Sequence, residues 1–262
     1  MQPVTDLVYD VGLHDGADTA HYLTQGFRVV AIEANPAMVE RAAAQFAGFI
    51  QSGRLTLLNL GIADNHGQAE FWVSSKSEWS SFDRTIAGRD GTEHHPVSVT
   101  TVPFSDILKQ YGIPHYCKID IEARDRMCLE ALRGLPLPDY LSVEAECVDD
   151  STVLSDGEAL TVLNLLHELG YRRFRAINQG NGWQPLYPVS PVARFWAKCR
   201  RRLHPLRPHN LPFGSSGPCP WEHTSGWMDL RSARAAYLSE RHAYFQQARP
   251  LYSFWFDWHV CH

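Results

Sequence analysis

Two glycines and two acidic residues near the N-terminus have the spacing of a nucleotide-binding loop. Asp10 ends a mostly apolar run, and Gly12 and Gly16 follow it in the pattern D-x-G-x-x-x-G. Glycine allows a sharp turn and lets a ligand lie against bare main chain. Glu33 comes 23 residues after Asp10, where a carboxylate can accept hydrogen bonds from ribose hydroxyls. The pattern therefore predicts a ligand that contains a ribose.

The charge of this loop favours a cationic nucleoside over a dinucleotide. A dinucleotide fingerprint has glycine where this chain has Asp10, and again where it has Asp15. A carboxylate there repels a pyrophosphate but suits an ammonium or a sulfonium group. We therefore expect S-adenosylmethionine (SAM) as the cofactor and S-adenosylhomocysteine as its product. The alternatives are an NAD(P)-linked oxidoreductase and a non-catalytic methyltransferase-fold binding module.

Position along the chain predicts the other cofactor contacts. The residues that follow the third predicted strand should flank the adenine, with Ile62 against its face, and Asp64 belongs to the same segment. The complete set expected to bind the cofactor is Asp10, Gly12, Leu13, His14, Gly16, Glu33, Ala34, Asn59, Ile62, Ala63 and Asp120.

A second acidic group lies in the run "KIDIEARD", residues 118–125. Alternate side chains of a strand share a face, so a strand over 117–122 predicts Asp120 and Glu122 on one side. Asp120 could contact the SAM amino group or act as a general base. Glu122 could act as a base, bind the acceptor, or pair with Arg124 or Lys118. A base within reach helps an aliphatic hydroxyl to attack a methyl group.

Histidines supply the other candidate bases. His14 lies on the glycine loop itself, and His223 and His259 lie in a C-terminal part that could fold over the site. We count Asp120, Glu122, His14 and His223 as the candidate catalytic residues.

A divalent metal is possible but not predicted. Glu144 and Glu146 repeat the i, i+2 spacing of Asp120 and Glu122, and four carboxylates could form an oxygen-rich metal site. Such acids more often cap strands or bind substrate hydroxyls, so no metal ligand is assigned.

Strands and helices alternate up to about residue 179 and would bring these residues together. This order predicts an α/β fold, a mostly parallel sheet with helices on both faces. Asn35 and Pro36 suit the start of a helix. Residues 66–103 predict two inserted strands. The main predicted strands are 4–10, 27–33, 54–64, 117–122, 139–146 and 251–260, and the clearest helices are 17–25, 36–50 and 229–248.

The composition changes near residue 180. Residues 181–228 are rich in proline and show little periodicity, which is typical of a lid or a binding loop. We expect a SAM-binding core at 1–180 and a lid-like extension at 181–262, packed on the same domain. The basic run 198–209 fits either a solvated face or a contact with an anionic substrate or membrane surface.

The totals restrict the partners. A net charge of −5 argues against a nucleic-acid partner. No stretch reaches the roughly 20 apolar residues of a transmembrane helix, and the six cysteines match no zinc spacing. We expect a cytoplasmic protein with reduced thiols that acts on a small-molecule or glycan acceptor; its oligomeric state is open.

The motifs in order resemble one family. "YDVGLHDGADTAHYLTQGFRVVAIEANP" (9–36), "NLGIADNHGQAEFWV" (59–73), "CKIDIEARDRMCLEAL" (117–132) and "PDYLSVEAE" (138–146) resemble FkbM-family methyltransferases. The chain departs from that pattern at Ala123, where glycine is common, and at His14, where asparagine is frequent. The resemblance implies a class I methyltransferase (Rossmann-like) fold with seven strands, the last antiparallel. It also implies SAM-dependent methylation, mostly of oxygen.

Overall fold

A computed structural model describes residues 2–122, 124–145, 154–179, 183–192, 195–196, 199, 216–223, 226–246 and 254–262. The chain forms two units, Met1–Asp139 and Tyr140–His262. The division into a core at 1–180 and an extension at 181–262 stays a prediction.

Parallel strands form the centre of the first unit. Its strands are β1 (Val4–Val11), β2 (Arg28–Glu33), β3 (Leu55–Asn59), β4 (Gly61–Ile62), β5 (Gly67–Ser74), β6 (His94–Val102) and β7 (Pro114–Ile119). Four of them pair in the order β7-β1-β2-β3, and every pairing is parallel. Buried residues such as Val8, Val11 and Ile32 fill this sheet. Parallel strands covered by helices explain these continuous apolar runs.

The helices of the first unit are α1 (Ala17–Thr24), α2 (Pro36–Gln45), α3 (Ala47–Gln51), α4 (Arg84–Ala87), α5 (Phe104–Tyr111) and α6 (Asp125–Glu130). Asn35 caps α2, because its side chain accepts a hydrogen bond from the Ala37 N–H. The sequence predicted one helix over 36–50, but the backbone leaves helical geometry at Phe46. The buried Phe46 ring lies so close to Gly16 that a Cβ there would be 2.7 Å from the ring.

Two predicted strand boundaries were wrong, and both affect the site. The predicted strand 54–64 is two strands, because the chain leaves the parallel sheet after Asn59 and enters a second sheet at Gly61. Gly61 is needed there, since a Cβ would be 2.3 Å from the Phe82 ring. The predicted strand 117–122 ends instead at Ile119.

The insertion is a small sheet of its own, which confirms the two predicted strands. β5 and β6 pair antiparallel over their whole length, and β4 pairs parallel to β6, in the order β4-β6-β5. Residues between β5 and β6 form α4 and short 3₁₀ turns instead of an open loop.

The second unit contains β8 (Tyr140–Glu144), β9 (Arg173–Asn178), β10 (Gln184–Pro185) and β11 (Phe256–Cys261), with helices α7 (Thr161–Leu169) and α8 (Leu230–Phe245). Its strand order is β10-β9-β11-β8, and β11 runs antiparallel to both β8 and β9. The final strand is therefore antiparallel, as expected. The α/β class is confirmed. Among the described residues, four strands of each unit belong to the main sheet, which is one strand more in total than the seven expected.

Among the described residues, no helix has both the length and the apolar character needed to cross a bilayer. The described cysteines Cys117, Cys128, Cys199, Cys219 and Cys261 are free thiols.

Candidate active site

Gly12 brings the loop after β1 directly over the end of β7. Its φ of 92° lies in the left-handed region, and a Cβ at this position would be 1.8 Å from the backbone oxygen of Asp120. The N–H groups of Gly12 and Leu13 both donate to the Ile32 carbonyl, at 2.9 and 3.0 Å. No side chain fits at position 12, so the loop and the end of β7 form one continuous surface.

Glu33 is held by two backbone N–H groups. One carboxylate oxygen accepts from His14 N at 2.9 Å and the other from Asn35 N at 2.7 Å. Burial raises the pKa of Glu33, and these two hydrogen bonds offset part of that shift. Each carboxylate oxygen has a second lone pair, so the oriented group can still accept from two ligand hydroxyls.

Asn59 secures the corner that follows β2. Its amide Nδ2 donates to the carbonyl oxygens of Glu33 and Ala34, at 3.0 and 3.1 Å. Asn59 thus holds the backbone directly after the expected ribose contact, Glu33.

Lys118 lies at the centre of a buried charge cluster. Its Nζ is 3.2 Å from Asp10 Oδ1, 3.9 Å from Asp18 Oδ2 and 3.8 Å from Asp120 Oδ2. It also donates to the Gly12 carbonyl at 2.5 Å. Burial alone would lower the pKa of Lys118, but the three carboxylates raise it above its usual range. The lysine is therefore a permanent cation beneath the glycine loop.

This cluster changes the expectation for Asp10. Its side chain is fully buried, paired with Lys118, and accepts a hydrogen bond from Thr19 Oγ1 at 2.6 Å. From the sequence we expected the Asp10 carboxylate to face the ligand, but in the structure it pairs with an internal cation. Asp120 keeps 24% of its side chain exposed and is the accessible carboxylate of the cluster.

Glu122 combines strained backbone with a perturbed carboxyl group. Its φ of 45° is left-handed, which is uncommon for a residue other than glycine. The predicted alternation of Asp120 and Glu122 along a strand was wrong, because β7 ends before both. Burial, then the negative charge of Asp120, raises the pKa of Glu122 to about 8, and Arg89 offsets part of the shift. Strained residues with perturbed pKa values concentrate at functional sites.

Sequence reasoning missed two supporting acids. Asp125 accepts from the Ile121 N–H at 3.0 Å, and burial together with Asp120 raises its pKa to about 6. Glu78 belongs to the insertion, and its charge also raises the pKa of Glu122. Asp125 stood within the quoted "KIDIEARD" run, whereas nothing in the sequence linked position 78 to this strand end.

Three of the predicted cofactor residues form backbone hydrogen bonds within the first unit, namely Leu13, Ile62 and Ala63. Leu13 and Ile62 are each 2% exposed, so Ile62 has little surface available to contact an adenine ring. Arg124 Nη1 donates to the Ile62 carbonyl at 2.8 Å, and its guanidinium lies 3.7 Å from the centre of the Phe82 ring. Ala63 follows β4 directly, and its N–H donates to the Val102 carbonyl at 3.1 Å.

The histidine candidates lie in different surroundings. His14 Nε2 forms a hydrogen bond with Ser77 Oγ at 2.8 Å, which ties the glycine loop to the insertion. His223 belongs to the second unit, where it is buried and packs edge-on against His259 at 6.0 Å between ring centres. Glu146, one of the four possible metal ligands, and the basic run 198–209, apart from Cys199, lie outside the described residues.

The chain is similar to several solved methyltransferase structures, each at low sequence identity. Precorrin-6y C5,15-methyltransferase from Geobacter metallireducens is 13% identical, with 68% of this chain and 72% of that chain covered and a TM-score of 0.36. A SAM-dependent methyltransferase from Geobacter sulfurreducens, in complex with S-adenosyl-L-homocysteine, is 13% identical, with coverages of 100% and 84% and a TM-score of 0.38.

Phosphoethanolamine N-methyltransferase 2 from Haemonchus contortus is 7% identical, with a TM-score of 0.40; this chain is covered completely but spans about half (49%) of that one. TM-scores this low carry no argument about function. No curated protein matches the chain.

The family model for the methyltransferase FkbM domain matches residues 10–173, which is more than half of the 262-residue chain. The match begins at Asp10, includes the glycine loop, Glu33 and Glu122, and ends at the first residue of β9. The chain therefore belongs to the FkbM methyltransferase family, whose members are SAM-dependent.

Proposed function

We propose that the protein methylates a hydroxyl group of a sugar, glycolipid or secondary metabolite, with Glu122 as the general base. The supporting observation is the Glu122 carboxyl group, partly buried at the end of β7 and with a pKa of about 8. A base works best when its pKa lies near the working pH. A hydroxyl needs such a base, because it must lose its proton as it attacks.

The residues around the glycine loop fit the cofactor. Glu33 would accept from the two ribose hydroxyls, Gly12 would leave room for the cofactor against the main chain, and Asp120 would face the ammonium group. When bound, SAM supplies an electrophilic methyl group on a sulfonium. The protein's own contribution is alignment and exclusion of water, and Glu122 takes the proton from the acceptor oxygen.

Geometry favours Glu122 over the other three candidate bases. The His14 ring is engaged with Ser77. Asp120 lies 3.8 Å from the Lys118 cation and belongs to that buried charge cluster. His223 is 4% exposed and belongs to the other unit.

Replacement of Glu33 by alanine tests the cofactor site. We expect SAM affinity to fall roughly a hundredfold or more, because two hydrogen bonds to a charged acceptor are lost. Isothermal titration calorimetry measures the change, with S-adenosylhomocysteine as a second ligand. Unchanged affinity would remove Glu33 from the ribose contact.

Glu40→Ala is the matched control, since Glu40 is an exposed carboxylate on α2. It should leave SAM affinity unchanged. In a thermal-shift panel, SAM and S-adenosylhomocysteine should stabilise the protein and NAD should not. Stabilisation by none of the three would favour the non-catalytic binding module.

A further inference from the structure

The second unit buries a polar row across three neighbouring strands. In the antiparallel register, His259 of β11 lies opposite Ser142 of β8 on one side and opposite Arg175 of β9 on the other. Side chains of residues directly opposite each other point to the same face of a sheet. Ser142 and Arg175 are each 1% exposed and His259 is 0% exposed. A guanidinium is thus buried on one sheet face with an imidazole and a hydroxyl.

Among the described residues, Arg175 has no carboxylate that forms an ion pair with it. Its Nε and Nη1 have no hydrogen-bond acceptor among the residues that the structure describes. Asp257 lies on the same face of β11 and is a diagonal neighbour of Arg175, but the two side chains form no ion pair. Burial lowers the pKa of Arg175 to about 9, and only Tyr187 acts in the other direction. An unpaired buried charge is strongly destabilising, so this guanidinium is better suited to a ligand than to the fold.

The surroundings of Arg175 favour an anion. Burial, and then the charge of Arg175, lowers the pKa of His259 to about 3, and a backbone hydrogen bond with Ser216 offsets part of that shift, so the imidazole is neutral and does not compete with the guanidinium for an anion. Gly226 lies beside the guanidinium, and a Cβ there would already contact Nε at 3.4 Å. The row therefore offers N–H donors, with one full positive charge.

We propose that Arg175 anchors a binding site in the second unit for the oxyanion group of a small molecule, a phosphate or a carboxylate. Guanidinium N–H groups match both oxyanions in geometry and charge. All the residues of this site belong to the second unit, and none of them is expected to bind SAM. Anion binding can therefore be tested without SAM.

The test measures the melting temperature of the full chain with inorganic phosphate, with succinate and with chloride at equal ionic strength. We expect phosphate or succinate to stabilise the wild type more than chloride does, and the stronger of the two identifies the oxyanion. Arg175→Met should lose that response, while in chloride its melting temperature should equal or exceed that of the wild type. Arg234→Met, which changes an exposed arginine of α8, should keep the response.

Equal stabilisation by all three anions would overturn the proposal, and so would an oxyanion response that survives in Arg175→Met. If that variant does not fold, Arg175→Lys serves instead, because it keeps a charge and loses the Nε donor. It should bind the stabilising oxyanion about tenfold more weakly, as expected for one lost charge-assisted hydrogen bond. Unchanged affinity in Arg175→Lys would also overturn the proposal.

Discussion

Replacement of Lys118 by methionine is expected to lower the free energy of unfolding by about 3–5 kcal/mol, the usual cost of removing one partner from a buried ion pair. Lys118 is the cation of its cluster, and its side chain is 4% exposed. Without it, the fully buried Asp10 and the nearby Asp18 would face each other uncompensated. Urea denaturation at neutral pH measures the change.

The same variant should also weaken SAM binding, because Lys118 holds the Gly12 carbonyl and so the position of the loop. A double variant separates the causes. Asp10→Asn in the Lys118→Met background removes the orphaned charge and should restore part of the stability, which would give a clear coupling energy. Strict additivity of the two changes would contradict the ion pair.

Lys109→Met is the matched surface control. Lys109 pairs with Asp106 at 2.8 Å, but its side chain is 70% exposed. Exposed pairs contribute about 0–1 kcal/mol, so this variant should unfold almost as the wild type does. A similar loss in both lysine variants would show that burial is not what makes Lys118 important.

The sequence predicted the site residues whose signals are local. Asp10 and Glu33 each follow an apolar run, so the two carboxylates could be assigned to neighbouring strand ends. The partner of Asp10 could not be predicted, because it depends on the register of β1 with β7, which sets Asp10 beside Lys118. A lysine within an apolar strand, Lys118, indicates a buried ion pair, but the sequence does not show which acidic residue is its partner.

Strand ends were the main source of error. Alternation predicted Asp120 and Glu122 on one face, but alternation holds only within a strand, and β7 ends at Ile119. The Gly12 loop crosses over the Asp120 carbonyl, and Glu122 then turns with a left-handed φ. These features arise from a contact between segments that are more than 100 residues apart. The burial of Ile62 was missed for another reason, because the chain changes sheet between Asn59 and Gly61.

Glu122→Gln is expected to reduce the methylation rate of a hydroxyl acceptor by 10²–10⁴-fold, the usual contribution of a general base. Because Glu122 must be deprotonated to act, the rate of the wild type should rise with pH to an apparent pKa of about 8. The Glu122→Gln variant should lose this rising limb of the pH–rate profile, and its affinity for SAM should equal that of the wild type. Calorimetry and a pH–rate profile measure both.

The stability of the wild type should fall over the pH range in which its methylation rate rises. Folding raises the pKa of Glu122 from 4.5 to about 8, so the native state binds the proton more tightly than the unfolded chain does. The wild type should therefore lose stability as the pH rises from about 4.5 to 8. Glu122→Gln should lose less stability over that range, so a fall in rate cannot be attributed to unfolding.

Asp120→Asn tests whether Asp120 is the general base or only raises the pKa of the base Glu122. The negative charge of Asp120 raises the pKa of Glu122, so its removal should move the acidic limb of the pH–rate profile to lower pH. A base other than Glu122, such as His14, would leave that limb in place in Glu122→Gln.

An amine acceptor that Glu122→Gln methylates at the wild-type rate would indicate nitrogen methylation, because an amine already neutral at the assay pH needs no base. Loss of the limb for hydroxyl acceptors alone is the result that oxygen methylation requires.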